Sequence, residues 1–292
     1  MSSRAWSGAG IAVISGGDGL RERVLHPRIL VEIAGLAACW YLYRFGRFLI
    51  RDQVVEAYRN AHDVLAFESD FGLSFEDELQ RLVMSNPVAV DVVNHYYVYA
   101  HVVVTLAALV FTWLTAPEVY RRTRRVLVVA TMLGLVVHAA YPLAPPRLVA
   151  RSGLVDTLDR FGPQVYSDDR FDSVVNQFAA MPSFHVGWAA LVAAAAVTGY
   201  RSRWRWLVLA HPALMILAVV STANHYVLDA IAGVTVVAAV AFADSWITRR
   251  RMPRAEDALD HGADLGEVDD LTGHGALPHG RDELERLVYV PR

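Results

Sequence analysis

An all-α integral-membrane fold is what this sequence predicts: a six-helix bundle with an interfacial amphipathic helical segment and disordered cytoplasmic tails. Three observations carry that expectation. Of the 292 residues, 54% are hydrophobic and only 20% charged, apolar above and charged below the usage of soluble domains. The apolar residues gather in runs close to the ~20 residues needed to cross a bilayer. The arginines fall in short clusters between those runs, as they do at membrane boundaries.

In chain order, residues 1–24 are rich in Gly and Ser with scattered Arg, which predicts a disordered tail. A first span follows from Ile29 to Ile50; it is longer than a signal-peptide core and lacks a clean small-residue cleavage site, so it reads as retained. From Asp52 to Val83, Val55, Tyr58, His62 and Leu65 recur at helical spacing with Glu56, Arg59 and Asp63 between them, the pattern of one or two interfacial amphipathic helices. The remaining spans are Val88 to Leu114, Val126 to Pro142, Phe184 to Tyr200, Trp206 to Ser221 and Tyr226 to Ile247, some of them short. The membrane domain thus covers 25–250. Residues 251–292 are polar and acidic, with Asp, Glu, Gly and His from Ala255 to His279, and predict a largely disordered tail with a short helix at Asp282 to Val290.

Orientation follows from the arginines. Arg121, Arg122, Arg124 and Arg125, then Arg201, Arg203 and Arg205, then Arg249 to Arg251 follow alternate spans and share one side, which the positive-inside rule makes cytoplasmic. Both termini fall on that side, the N-terminal one with Arg21, Arg23 and Arg28, and the acidic segment Glu76, Asp77, Glu78 falls outside. The expected location is the plasma membrane. A net charge of -3 gives no general attraction to nucleic acid. Cys39, the single cysteine, lies in an apolar run, so disulfides within the chain and cysteine-based metal sites are excluded. All 27 basic residues are arginine, so any phosphate clamp must use guanidinium forks or backbone N–H groups.

Two segments carry candidate chemistry. Met181-Pro182-Ser183-Phe184-His185 opens one span; a proline in the first helical turn leaves the N–H groups of Ser183 and Phe184 to hold an anion beside His185. Ser221-Thr222-Ala223-Asn224-His225-Tyr226-Val227-Leu228-Asp229 joins two spans. His225 and Asp229 lie four apart, on one helix face, so that the carboxylate can accept from one imidazole nitrogen and free the other to attack. Taken alone, that pair reads equally well as a structural cap at a helix junction. A third segment, Tyr141-Pro142-Leu143-Ala144-Pro145-Pro146-Arg147-Leu148, ends a span on the same side and presents Arg147 as a phosphate clamp. Asn94, Tyr97 and His101 share one helix face and are expected to line the substrate path or to form hydrogen bonds in the bundle. Glu32, His138, His211 and Asp244 read as paired or snorkelling groups with no catalytic role. The loop from Val149 to Ala180, with Asp168, Asp169, Arg170, Asp172, Asn176 and Gln177, reads as a solvated outer loop that is also placed to cover the site or bind a polar acceptor.

These motifs, in this order and on one predicted side, resemble the type 2 phosphatidic acid phosphatase superfamily, and especially its branch similar to inositol phosphorylceramide synthases (inositolphosphotransferase-like). The resemblance covers roughly residues 30–248. In that family a Pro-Ser-x-His motif and a later His-x-x-x-Asp motif form the catalytic pair, here Pro182, Ser183, His185 and His225, Asp229. The resemblance implies a phosphohistidine at His225 oriented by Asp229, with His185 protonating the leaving oxygen and Ser183 with Arg147 on the nonbridging oxygens; it implies neither cofactor nor metal. The two imidazoles then hold different protonation states, which predicts a bell-shaped pH profile. Two departures stand out: Ala140 occupies the place of a lysine ahead of Arg147, and no arginine lies between Trp206 and His225. The branch resemblance rests on Pro145-Pro146-Arg147 and on His225-Tyr226-Val227-Leu228-Asp229, and makes transfer of a phospho-headgroup to a polar alcohol such as inositol an alternative to hydrolysis.

Other classes explain less. An intramembrane serine hydrolase using Ser183 lacks a glycine-flanked nucleophile and leaves His185 idle, and a lipid transporter is expected to show two repeated halves with interrupted helices. A metal site from His185, His225 and Asp229 has suitable ligand types. The sequence leaves open which lipid phosphate is the substrate.

Overall fold

A computed structural model describes residues 28–49, 53–163 and 177–251. The two expected tails, the acidic part of the outer loop (Asp168 to Asn176) and the short helix at Asp282 to Val290 lie outside the described residues. One compact unit runs to Trp246, and beyond it the description covers only the end of the last helix. Among the described residues the fold is all-helical, and its only extended pairing is an isolated bridge between Leu143 and Ala179.

The first helix, α1, spans Arg28–Leu49. The amphipathic segment forms α2, Val54–Asp70, and α3, Glu76–Met84, separated by a turn in which Gly72 adopts a positive φ. Asn86 then starts α4, Pro87–Thr115: its Oδ1 accepts from the Val88 and Ala89 N–H groups at 2.9 and 3.4 Å, and Pro87 takes the first helical position, where no N–H is needed. Pro117 likewise opens α5, Pro117–Ala140, so the arginine cluster at 121–125 sits inside that helix, whereas the sequence reading began the span at Val126. Two 3₁₀ turns, Pro146–Leu148 and Ala150–Ser152, and the short α6, Thr157–Phe161, carry the chain to α7, Phe184–Gly199. A 3₁₀ stretch, Arg203–Leu209, leads into α8, Ala210–Ser221, and α9, Val227–Arg251, ends the description.

Four helical stretches are long and apolar enough to cross a membrane: Pro87–Thr115, Pro117–Ala140, Arg203–Ser221 and Val227–Arg250. Of the other two expected spans, α7 is apolar but only 16 residues long, and α1, 22 residues long, is not among the four. Glu32 is ion-paired with Arg124 and accepts from the Tyr120 hydroxyl at 3.1 Å, and Asp244 accepts from Arg125 at 2.8 and 3.1 Å, so both lone acids are paired. Large apolar side chains stand exposed along α4, among them Val92, Val103, Leu106 and Val110. A contiguous apolar face of this kind suits lipid and not water.

Inside, Val186, Ala189, Met215, Val219 and Ala230 join α7, α8 and α9 in one core, while Ala57, Ala61 and Val64 seat α2 against Leu143, Ala144 and Tyr226. Helices α7 and α9 approach closely because both are glycine at the crossing: a Cβ on Gly187 would meet the Gly233 carbonyl at 3.1 Å, and one on Gly233 would meet the Ser183 carbonyl at 2.2 Å. The interfacial helices hold the connecting loops through buried amides. Asn60 donates to the Pro142 carbonyl at 2.8 Å. Gln80 donates to the carbonyls of Val155 and Ser221, both at 2.9 Å, and accepts from the Val155 N–H at 2.8 Å.

Candidate active site

The turn between α8 and α9 carries His225, ahead of the helix and not on the helix face that the spacing predicts, and the first turn of α9 carries Asp229. Thr222 caps the end of α8 by donating to the Ala218 carbonyl at 2.7 Å. Ala223 then takes φ +55°, a left-handed conformation that costs a residue with a Cβ of order 1 kcal/mol and reverses the chain. The strain is held in place: the Ala223 carbonyl accepts from the Arg147 N–H at 2.9 Å, and the Asn224 and His225 N–H groups both donate to the Val219 carbonyl. His225 Nδ1 lies 3.3 Å from Asp229 Oδ2, with Asp229 fully buried behind it. Since a carboxylate only accepts, Nδ1 is the donor in this contact, and Nε2 is the ring nitrogen turned away from Asp229.

His185 faces this pair from the first turn of α7, its ring centroid 5.6 Å from that of His225. Tyr97 stacks on His185 at 4.5 Å and 19°, and His101 packs at 4.0 Å. Both come from α4, which widens into a π-helical turn at Tyr96–Ala100, a feature frequent at functional sites. His101 Nδ1 lies 3.2 Å from the Tyr97 carbonyl, an acceptor only, so its other nitrogen is the one left to face neighbouring groups.

Arg147 is almost fully buried (3% side-chain exposure). Its Nε donates to Asn224 Oδ1 at 3.0 Å and lies 3.6 Å from Asp156 Oδ2, and a terminal nitrogen reaches Gln177 Oε1 at 3.4 Å. A cavity of about 180 Å³ joins these groups: Arg147, His185, His225, Asn224, Gln177 and His101 share its wall with Tyr97, Trp40, Tyr43, His138 and Trp188. The arrangement offers four imidazoles and a guanidinium around one small volume, a donor set that binds and polarises an anion.

The sequence-derived candidates therefore divide. His225, His185, Arg147, Tyr97 and His101 meet at one cavity, and Asp229 backs His225 without lining it. Asn94 is elsewhere: fully buried, it donates to the Thr157 and Gly162 carbonyls at 2.9 and 2.7 Å and accepts from the Thr157 hydroxyl, tying the outer loop to α4. Ser183 is fully buried, and its hydroxyl has no hydrogen-bond partner among the described residues. One detail of the helix-entry reading is corrected. Ser183 is the N-cap of α7, with Pro182 before it, and the Ser183 N–H donates to the Asp229 carbonyl at 3.0 Å, so it is not available to an anion. Sequence reasoning missed Asn224 and Gln177 as Arg147's anchors and assigned no role to His138, which lines the cavity. Among the described residues, no group of three His, Cys, Asp or Glu converges in metal-binding geometry.

No curated protein and no solved structure matches the chain. Residues 62–243 match the family model of the PAP2 superfamily, a stretch that holds Tyr97, His101, Arg147, His185, His225 and Asp229, and the chain belongs to that superfamily.

Proposed function

We propose that this protein is a lipid phosphate phosphatase or phosphotransferase that works without a metal through a phosphohistidine at His225. Membership of the PAP2 superfamily supports an enzyme acting on lipid phosphates in a membrane. The observation that carries the finer reading is the pairing of His225, backed by Asp229 at 3.3 Å, with His185 across a cavity that Arg147 also lines.

In the proposed reaction His225 Nε2 attacks phosphorus as the ester P–O bond breaks, and the proton on His185 passes to the departing oxygen. Asp229 accepts the Nδ1–H and stabilises the imidazolium-like character that develops on His225. Arg147 meets the charge that grows on the nonbridging oxygens. A water or alcohol then attacks the phosphoramidate, gives its proton to His185 and releases His225. Tyr97 and His101 hold the His185 ring between them. Trp40, Tyr43 and Trp188 give the cavity an aromatic side, suited to the lipid stem or to a polar alcohol acceptor of the inositol type. The proposed topology adds α1 and α7 to the four long helices as six spans, with the site extracytoplasmic at the plasma membrane and both termini cytoplasmic, a reading that the spacing of the arginine clusters supports.

Phosphate release by the purified protein from a panel of lipid phosphates and diphosphates tests this reading, with chelator, with and without inositol, beside His225→Ala. Chelator-resistant release that depends on His225 is expected for a phosphatase, and its replacement by a phosphoinositol product for a transferase. Turnover that survives His225→Ala unchanged would overturn the mechanism.

A further inference from the structure

Two buried acids stand behind the His225–Asp229 pair and have no part in the chemistry above. Glu68, in the last turn of α2, is fully buried, and Glu76, the first residue of α3, is 6% exposed. Both reach the opening of α9. Glu68 Oε1 accepts from the Leu228 N–H at 2.7 Å and Glu76 Oε1 from the Val227 N–H at 3.4 Å, while Asp229 Oδ2 takes the Tyr226 N–H at 3.0 Å. Three successive N–H groups of the turn that follows His225 thus end on carboxyl groups from three different helices.

Three ionised carboxylates in one dry space repel strongly, and among the described residues the charged groups bearing on Glu68 are Glu76 and Asp229. Around them lie His225, the Tyr226 phenol, which donates to the Ala144 carbonyl at 3.1 Å, and, beyond it, Tyr141 with Asp63 of α2. A shared proton resolves the conflict. The N–H groups that Glu68 and Glu76 accept from belong to the adjacent residues Leu228 and Val227, so the two carboxyls stand side by side, placed to share one proton. The second Glu68 oxygen, Oε2, is enclosed and, among the described residues, no donor is directed at it, which is where a proton belongs. Burial, with Glu76 and Asp229 beside it, pushes the Glu68 carboxyl up to about 9.

We propose that Glu68 and Glu76 form a proton-sharing carboxyl pair that positions the His225–Asp229 dyad by clamping the first turn of α9 to the two interfacial helices. The inference rests on the reading of His225 as the nucleophile. With the proton in place, a single negative charge faces Asp229, and the α9 N–H groups balance it. Once the proton is lost, a second negative charge faces Asp229, the turn is pushed away from α2 and α3, and His225 loses its aim. Glu68 and Glu76 touch no substrate; they are positioning residues acting through Asp229 and the α9 backbone.

The test uses the full chain in detergent micelles, with Glu68→Ala and Glu68→Gln, and two readouts. In turnover, Glu68→Ala is expected to lower kcat by about tenfold or more with KM little changed, the signature of a lost transition-state geometry. Glu68→Gln keeps an acceptor and a donor, so it is expected to restore most of that loss and to abolish the wild-type fall in kcat near pH 9. In thermal unfolding, the folded protein holds a proton that the unfolded chain releases. Wild-type Tm therefore falls as pH rises from about 4.5 to about 9 and levels off above, and Glu68→Gln flattens that fall. The proposal is overturned if Glu68→Gln superimposes on wild type in both pH profiles, or if Glu68→Ala keeps wild-type kcat at every pH. The thermal readout needs no turnover: a slope that depends on Glu68 in a protein inactive on every lipid phosphate would leave the pair standing and sink the functional reading alone.

Discussion

Replacing Gly233 with alanine strikes the helix crossing beside which His185 and His225 face each other across the cavity. The new Cβ would lie 2.2 Å from the Ser183 carbonyl oxygen, a backbone atom that no rotamer change can move. A carbon–oxygen contact needs about 3.3 Å, so α7 and α9 must separate by roughly 1 Å at this point. Overpacking of that size costs about 1–3 kcal/mol, and stretching the bond from the Ser183 N–H to the Asp229 carbonyl, 3.0 Å in the native protein, adds about 1 kcal/mol. At about 2–4 °C per kcal/mol for a domain of this size, Tm is expected to drop by roughly 4–16 °C. Function should suffer more than stability, because Ser183 is two residues from His185 and the opposing helix carries Asp229. A misplacement of about 1 Å between reacting groups costs on the order of a hundredfold in rate. The assay is kcat for phosphate release at a temperature where the variant remains folded, beside its melting curve. Gly35→Ala is the control, since nothing lies within 4 Å of its Cβ and the change should cost nothing. A Gly233→Ala protein with wild-type kcat and Tm would refute the claim that this crossing fixes the site.

Two further outcomes follow from the same geometry. Arg147→Ala should lower kcat/KM by about a hundredfold to a thousandfold, or about 2.7–4 kcal/mol, and Arg147→Lys should recover only part of it, because lysine lacks the fork that meets Asn224 and Gln177 together; steady-state kinetics decide, and a loss confined to KM would assign Arg147 to ground-state binding. Gln80→Leu strips three hydrogen bonds from the Val155 and Ser221 backbone and should destabilise the protein by about 2–4 kcal/mol; a denaturation midpoint in micelles within error of wild type would contradict this.

Much of this molecule can be read before folding is considered, because bilayer thickness and arginine clustering act on local stretches of chain. The runs containing α4, α5, α8 and α9 stood out on length and hydropathy alone. His225 and Asp229 stood out as a pair four apart, but His225 sits in the turn ahead of α9, so their contact comes from that turn and not from a shared helix face. What escaped depends on distant partners. The polar residues of α2 and α3 look like a solvated face, yet Asn60, Glu68 and Gln80 turn inward to backbone groups 82, 160 and 141 residues away. A hydrophobic period marks the apolar stripe of a helix and says nothing about which polar neighbour is buried beside it. Asn94 shared a helix face with Tyr97 and His101, but the π-helical turn between them, which no hydropathy pattern announces, separates a structural tie from two cavity residues. The Ser183 N–H looked available because its acceptor, the Asp229 carbonyl, belongs to another helix.

The most direct test of the account is to trap the covalent intermediate. The protein, mixed with a lipid phosphate carrying radiolabelled phosphorus, is quenched in alkali during turnover and the labelled peptide is mapped. A phosphoramidate on His225 is expected, labile to acid, stable to alkali and lost in His225→Ala. Label on Ser183 that survives acid, or turnover by His225→Ala at the wild-type rate, would contradict it.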